Sequence, residues 1–249
     1  MNCRSVAWIL LMGALSIWAP AASAVDAREA LGSGRVVLVP PNLGVRATSE
    51  VEPGIDPVWR EILSHFAARQ KPATALERKS AASLWAEVMA EVRAKPNADV
   101  YEAYGIFARR IADQVDYSAI VFPSLVTRAA RIQGKTAAWD GVRRDVELSG
   151  RDSVGTMAGN DLVIASTGVR GEIAAASLHV AVLSPKGELR FEGAGGLALL
   201  QELEEDRDST KGGMQVAVEM RPDAFADPIE LREGIETAFR RPLPASRAH

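Results

Sequence analysis

Asp116-Tyr117-Ser118-Ala119-Ile120-Val121-Phe122-Pro123-Ser124-Leu125-Val126 is where the chain changes its hydrophobic period. Before it, apolar residues recur every three or four positions. From Ala119 onward they form a nearly unbroken β-rich run, and Gly134-Lys135 then turns the chain into residues 136–148. In that second stretch Val142, Val146 and Leu148 alternate with Arg143, Asp145 and Glu147, the pattern of an antiparallel strand with one wet face. A β-hairpin is predicted here, and the rest of the fold is read outward from it.

Downstream, residues 149–171 are rich in Gly, Ser, Asp and Asn and read as a long loop, with Leu162-Val163-Ile164 as a short strand or an apolar loop tip. Alternation returns at Glu172. Leu178, Val180 and Val182 point one way, Ser177, His179 and Ala181 the other, and Pro185-Lys186-Gly187 turns the chain into Leu189-Arg190-Phe191-Glu192. Gly193, Gly195 and Gly196 then interrupt that strand as a bulge or sharp bend would. Residues 197–203 continue it or begin a helical turn, and 206–213 read as a polar loop. A closing helix starts at Asp227-Pro228, with Glu230 completing a capping box, and shows Leu231, Ile235 and Phe239 on one face before Arg240-Arg241-Pro242 ends it.

Upstream, Val36-Val37-Leu38-Val39, stopped by Pro40-Pro41, reads as a strand buried on both faces. Three helices separate it from the hairpin. The first is capped by Asp56 ahead of Pro57 and carries Trp59, Ile62, Leu63 and Phe66. The second is capped by Thr74 with Glu77 and carries Leu84, Val88 and Val92 before Pro96. The third is capped by Asn97 or Asp99 and carries Val100, Tyr104, Phe107, Ile111 and Val115. The expected class is α+β in mixed α/β layers: a largely antiparallel sheet from an early strand and two hairpins, packed by three N-terminal helices and one C-terminal helix.

The 249 residues carry 29 basic and 32 acidic side chains with no long block of either sign, so no nucleic-acid surface is expected. Arg4, an apolar run over 6–18 and Pro20-Ala21-Ala22-Ser23-Ala24 have the form of a signal peptide over 1–24, cut near Ala24. The expectation is an exported periplasmic chain with one α/β envelope domain over 25–242 and a flexible tail over 243–249. Cys3 precedes the apolar run and leaves with it, so neither a lipid-modified cysteine nor thiolate chemistry is expected. No other segment approaches spanning length. Whether the exported chain stays soluble or associates with a membrane is left open.

Residues 116–124, then Ala137-Ala138-Trp139-Asp140-Gly141-Val142, then residues 176–187 resemble the core of the periplasmic superfamily that includes CsgG-like and TolB amino-terminal-like domains. The resemblance extends to the glycine-interrupted strand 191–196 and the final amphipathic helix. It implies an envelope protein that acts by assembly or protein contact. The chain departs from that pattern in lacking a lipobox cysteine, and it shows no pair of long amphipathic strands suited to a membrane barrel.

Catalytic motifs are sparse. Only His65, His179 and His249 are available, with neither H-E-x-x-H nor paired-His spacing. No G-x-S-x-G elbow occurs, and Ser209-Thr210-Lys211-Gly212 lacks the S-x-x-K spacing. Gly32-Ser33-Gly34 and residues 193–196 match no phosphate-binding pattern, and the acidic run Glu202, Glu204, Glu205, Asp206 and Asp208 reads as a solvated loop. No catalytic residue, cofactor or metal is therefore assigned. The candidate partner contacts are Trp139, Asp140, Leu162, Val163 and Ile164. For the first pair, a core anchor followed by a bulge is the competing expectation. The predicted function is a non-enzymatic envelope protein that binds other envelope proteins or itself. A periplasmic hydrolase or small-ligand-binding domain is the alternative, and a purely structural domain a third.

Overall fold

The computed structural model describes residues 27–95, 99–146, 148–149, 170–206 and 215–243. Its centre is β3 (Ala119–Gln133), the run that begins at the period change and extends well beyond Val126. On one side β3 pairs antiparallel with β7 (Arg170–Leu183) over fourteen positions, from Ile120 opposite Leu183 to Gln133 opposite Arg170. β7 in turn pairs with β8 (Leu189–Leu199). The other edge of β3 is shared. Its start lies parallel to β1 (Val36–Leu38), and its end pairs with β4 (Thr136–Trp139), which pairs with β5 (Val142–Asp145).

β1 also lies parallel to β2 (Ala73–Ala75), so the sheet is mostly but not wholly antiparallel, within the expected α+β class. β1 ends before Pro40-Pro41, and Asn42 takes over its role beside β3. At φ 61° its backbone N–H donates to the Pro123 carbonyl, and its side-chain amide both donates to and accepts from the Leu125 backbone at 2.9 Å. The polar groups of Val121, Pro123 and Leu125 all face that edge. The N–H that Pro123 lacks therefore points past the end of β1, where no ladder bond is forfeited.

Helices cover both faces of this half. Val36, Leu38, Val121, Leu178 and Val180 pack on one face against α2 (Ile55–Ala68) and α5 (Pro228–Arg240), with the short α1 (Ala27–Leu31) alongside. Val37, Val39, Ile120, Phe122 and Leu183 pack on the other face against α3 (Arg78–Arg93) and α4 (Val100–Ala112). Consecutive residues of β1 thus enter opposite cores, which is why the early run reads as continuously apolar. Trp59 and Trp85 pack partly buried against these two cores as expected.

α5 can lie close on β8 because both surfaces are glycine. A Cβ on Gly195 would stand 2.0 Å from the Gly234 carbonyl, and one on Gly234 would stand 2.2 Å from the Gly196 carbonyl. Of the glycines predicted to bend the strand, Gly193 and Gly195 are its helix-docking surface, while Gly196 makes room for Trp139 and Val142 on the other face. The register shift in β8 falls beside them, between Gly196 and Ala198.

The remaining strands, β6 (Leu148–Ser149), β9 (Gln201–Asp206) and β10 (Gln215–Met220), form a second sheet in the order β10-β9-β6. Residues 197–203 therefore stay extended through β8 into β9. Glu202, Glu204, Glu205 and Asp206 belong to β9 rather than to a loop, because pairing with β10 satisfies their backbone. Asp208 and Leu162, Val163 and Ile164 lie outside the described residues, as does Asn97.

Several expected caps move. α2 starts at Ile55 from a 3-10 turn over Glu52–Gly54, so Asp56 lies inside the helix. Thr74 is recruited by β2, and Glu77 itself caps α3, accepting from the backbone N–H groups of Lys79 and Ser80. Asp99 caps α4 and Asp227 caps α5. Glu230 does not serve a capping box, because its carboxylate is drawn to Arg144, 3.3 Å away.

Candidate functional site

Trp139, Asp140, Gly141 and Val142 form a two-residue hairpin between β4 and β5, with Asp140 at φ 35° and Gly141 at φ 84°. Positive φ at both central residues is the turn geometry that matches strand twist, and Asp-Gly is a favoured pair for it. The expected bulge is thus a turn, and the second half of the predicted hairpin is folded once more on itself.

The turn is bound to the sheet on three sides. Trp139 is 6% exposed, and its indole N–H donates to the Ala176 carbonyl at 3.0 Å. The Asp140 carbonyl accepts from the Gly196 N–H at 3.3 Å, and its carboxylate accepts from Ser177 Oγ at 2.6 Å. Trp139 is therefore a core anchor, and its expectation as a partner contact is corrected. Asp140 is spent holding the turn.

Next to it, Arg128 reaches both Asp140 (Nε to Oδ2, 3.5 Å) and His179 (to Nε2, 2.6 Å). A guanidinium only donates, so His179 Nε2 accepts. Burial and then Arg128 hold this imidazole below its ordinary pKa. Serine, histidine and aspartate are adjacent, yet they are wired wrongly for acyl transfer. Ser177 is fully buried and gives its proton to Asp140, while His179 Nε2 is occupied by arginine. Among the described residues no three His, Cys, Asp or Glu side chains converge as metal ligands.

The open end of the molecule has a different character. β10 has one partner, β9, so among the described residues its outer backbone edge is unpaired. Val218 opposite Leu203 and Met220 opposite Gln201 share the inward face of this sheet, yet they are 51% and 48% exposed, whereas Leu203 is 5% exposed. The cluster beneath, built from Ile132, Trp139, Val142, Ile173 and Leu199, reaches Leu203 and stops there. β10 overhangs it. Ile229, at the start of α5, is 71% exposed.

A polar cleft of about 570 Å³ lies alongside, between β5 and the start of α5. Within it Arg144, whose side chain is 10% exposed, pairs with Glu230 and at 2.7 Å with Glu233. Burial raises the Glu230 carboxyl pKa while Arg144 opposes that rise. These pairs clamp β5 to α5.

The edge strand had a signal in the sequence, since Val216, Val218 and Met220 alternate with Gln215, Ala217 and Glu219. The flanking polar stretch masked it. No family model matches the sequence, and no curated protein matches it.

Proposed function

We propose that the chain is exported by a leader cut near Ala24 and works in the bacterial periplasm as a non-enzymatic assembly protein, with the outer edge of β10 as its contact surface. This keeps the functional class implied by the resemblance to CsgG-like and TolB amino-terminal-like domains. The observation that carries it is the pairing of a backbone edge that is unfilled among the described residues with half-exposed Val218 and Met220 on one strand. Strand addition satisfies the edge N–H and C=O groups and covers both side chains at once.

The proposed occupant is β10 of a second copy. An antiparallel pair centred on Val218 places Glu219, the strand's one charge, opposite Ala217 and not opposite its own copy. Light scattering coupled to size exclusion on the envelope-purified chain is expected to show a dimer that Val218→Lys reduces to a monomer with an unchanged melting temperature. A parent chain that stays monomeric at high concentration refutes self-assembly, and capture of a different envelope protein through the same edge would name a heterologous partner instead.

A further inference from the structure

Among the described residues β8 has one partner strand, β7, so the backbone groups on its other edge need acceptors and donors from elsewhere. Two segments distant in the chain supply them. The Asp140 carbonyl, at the β4–β5 turn, accepts from the Gly196 N–H at 3.3 Å. Past it, the residues that follow α5 run antiparallel to β8. Pro242 stands opposite Gly193, the Ala194 N–H donates to the Arg241 carbonyl at 3.4 Å, and the Leu243 N–H donates to the Glu192 carbonyl at 2.8 Å. The helix delivers the segment to this place. Gly195 and Gly234 let α5 lie close on β8, and the backbone becomes extended at Arg241, with φ −104° and ψ 100°.

The order of residues in this short strand has a consequence for anything that approaches it. Successive N–H groups of an antiparallel strand point alternately toward and away from its neighbour. The bonds of Arg241 and Leu243 face β8, so position 242 faces outward, and proline has no N–H to present there. Proline at 242 thus forfeits no bond to β8 and denies one to a further strand. Pro244 repeats the residue at the same phase two positions on.

We infer that residues 241–249 are a guard strand. They occupy the outer edge of β8 in place of a strand from another molecule, and their alternate prolines stop the sheet from growing past them. Without the segment, Glu192 and Ala194 would offer a bare edge to any extended chain. With N–H groups at 242 and 244, the segment would itself be a new edge, and either change invites open-ended addition. The inference does not depend on what covers β10, because the bonds to β8 are made within one chain.

Residue-resolved hydrogen exchange on the envelope-purified chain reads the contact directly. The Leu243 amide should exchange about tenfold or more slowly than in an unstructured segment. Leu243→Pro removes that donor and should speed exchange at Ala194 by about tenfold while leaving the β1 amides unchanged. The guarding role is read by light scattering in a Val218→Lys background, which takes β10 out of the comparison. Adding Pro242→Val and Pro244→Val restores two outward N–H groups, and this chain should form larger species as its concentration rises, whereas Val218→Lys alone keeps one mass. Because both chains carry Val218→Lys, failure of the β10 reading leaves that comparison intact. A Leu243 amide that exchanges at the unstructured rate overturns the inference. So does a triple variant with the same mass as Val218→Lys alone at every concentration.

Discussion

The two ends of the β3–β7 ladder are built to different standards. At the end where β3 starts, both faces are covered: α2 and α5 press on one side, α3 and α4 on the other, and Ile120 and Val121 are fully buried against opposite cores. At the far end the same two strands leave the helices. There the sheet folds its own hairpin, β4–β5, and the second sheet back over Ala130, Ile132 and Ile173 to make a smaller core that, among the described residues, includes no helix. The difference shows where the chain covers its apolar residues and where, as at Val218 and Met220, it leaves them half-exposed.

The comparison can be broken most forcefully at Phe107. It is fully buried under the α4 face, against Phe122 at 5.6 Å between ring centroids and Trp85 at 6.0 Å. Phe107→Ala should cost about 4 kcal/mol in urea unfolding and lower protection from hydrogen exchange across the whole sheet. A loss confined to α4 would mean that the two faces unfold independently.

At the far end Trp139→Phe keeps the ring but leaves the Ala176 carbonyl without its indole donor. A loss of about 1 kcal/mol is expected, with faster exchange in β4 and β5 and little change in β1. Uniformly faster exchange would show that the small core is part of the main cooperative unit.

The smallest effect concerns pH. Burial, followed by Arg69, holds His65 at about 4, below its ordinary value of 6.5, with Arg240 acting in the same direction and Glu236 against them. The unfolded chain therefore binds more protons than the folded chain between those values. The stability contributed by neutral His65 is fully present above pH 6.5 and is lost as pH falls toward 4. His65→Gln should flatten the melting temperature over that interval. An unchanged slope would show that His65 does not set the acid sensitivity over that interval.

Local signals and long-range placement divided the fold between them. The early strand, α4 with its stripe, the β7–β8 hairpin and the Asp227 cap were legible, because periodicity and capping are properties of adjacent residues. β2 was not legible. Three exposed residues, Ala73–Ala75, form a strand only because β1 offers them an edge, and that edge also took Thr74 from its expected cap. The Asp140-Gly141 turn was visible as a break, but a bulge and a turn differ in what the chain pairs with next.

The candidate sites divide in the same way. From the sequence alone it followed that catalytic motifs are absent, that export is expected and that Trp139 suits a core anchor. The tertiary structure decided that Ser177, His179 and Asp140 are adjacent but wired through Arg128, that β10 overhangs its core, and that the residues after α5 bond to the outer edge of β8. Such contacts join distant segments, and Arg69 is bonded to Glu236 across 167 residues of chain. Period and propensity describe near neighbours along the backbone, whereas charge balance and surface cover depend on which distant segments the packed layers bring together.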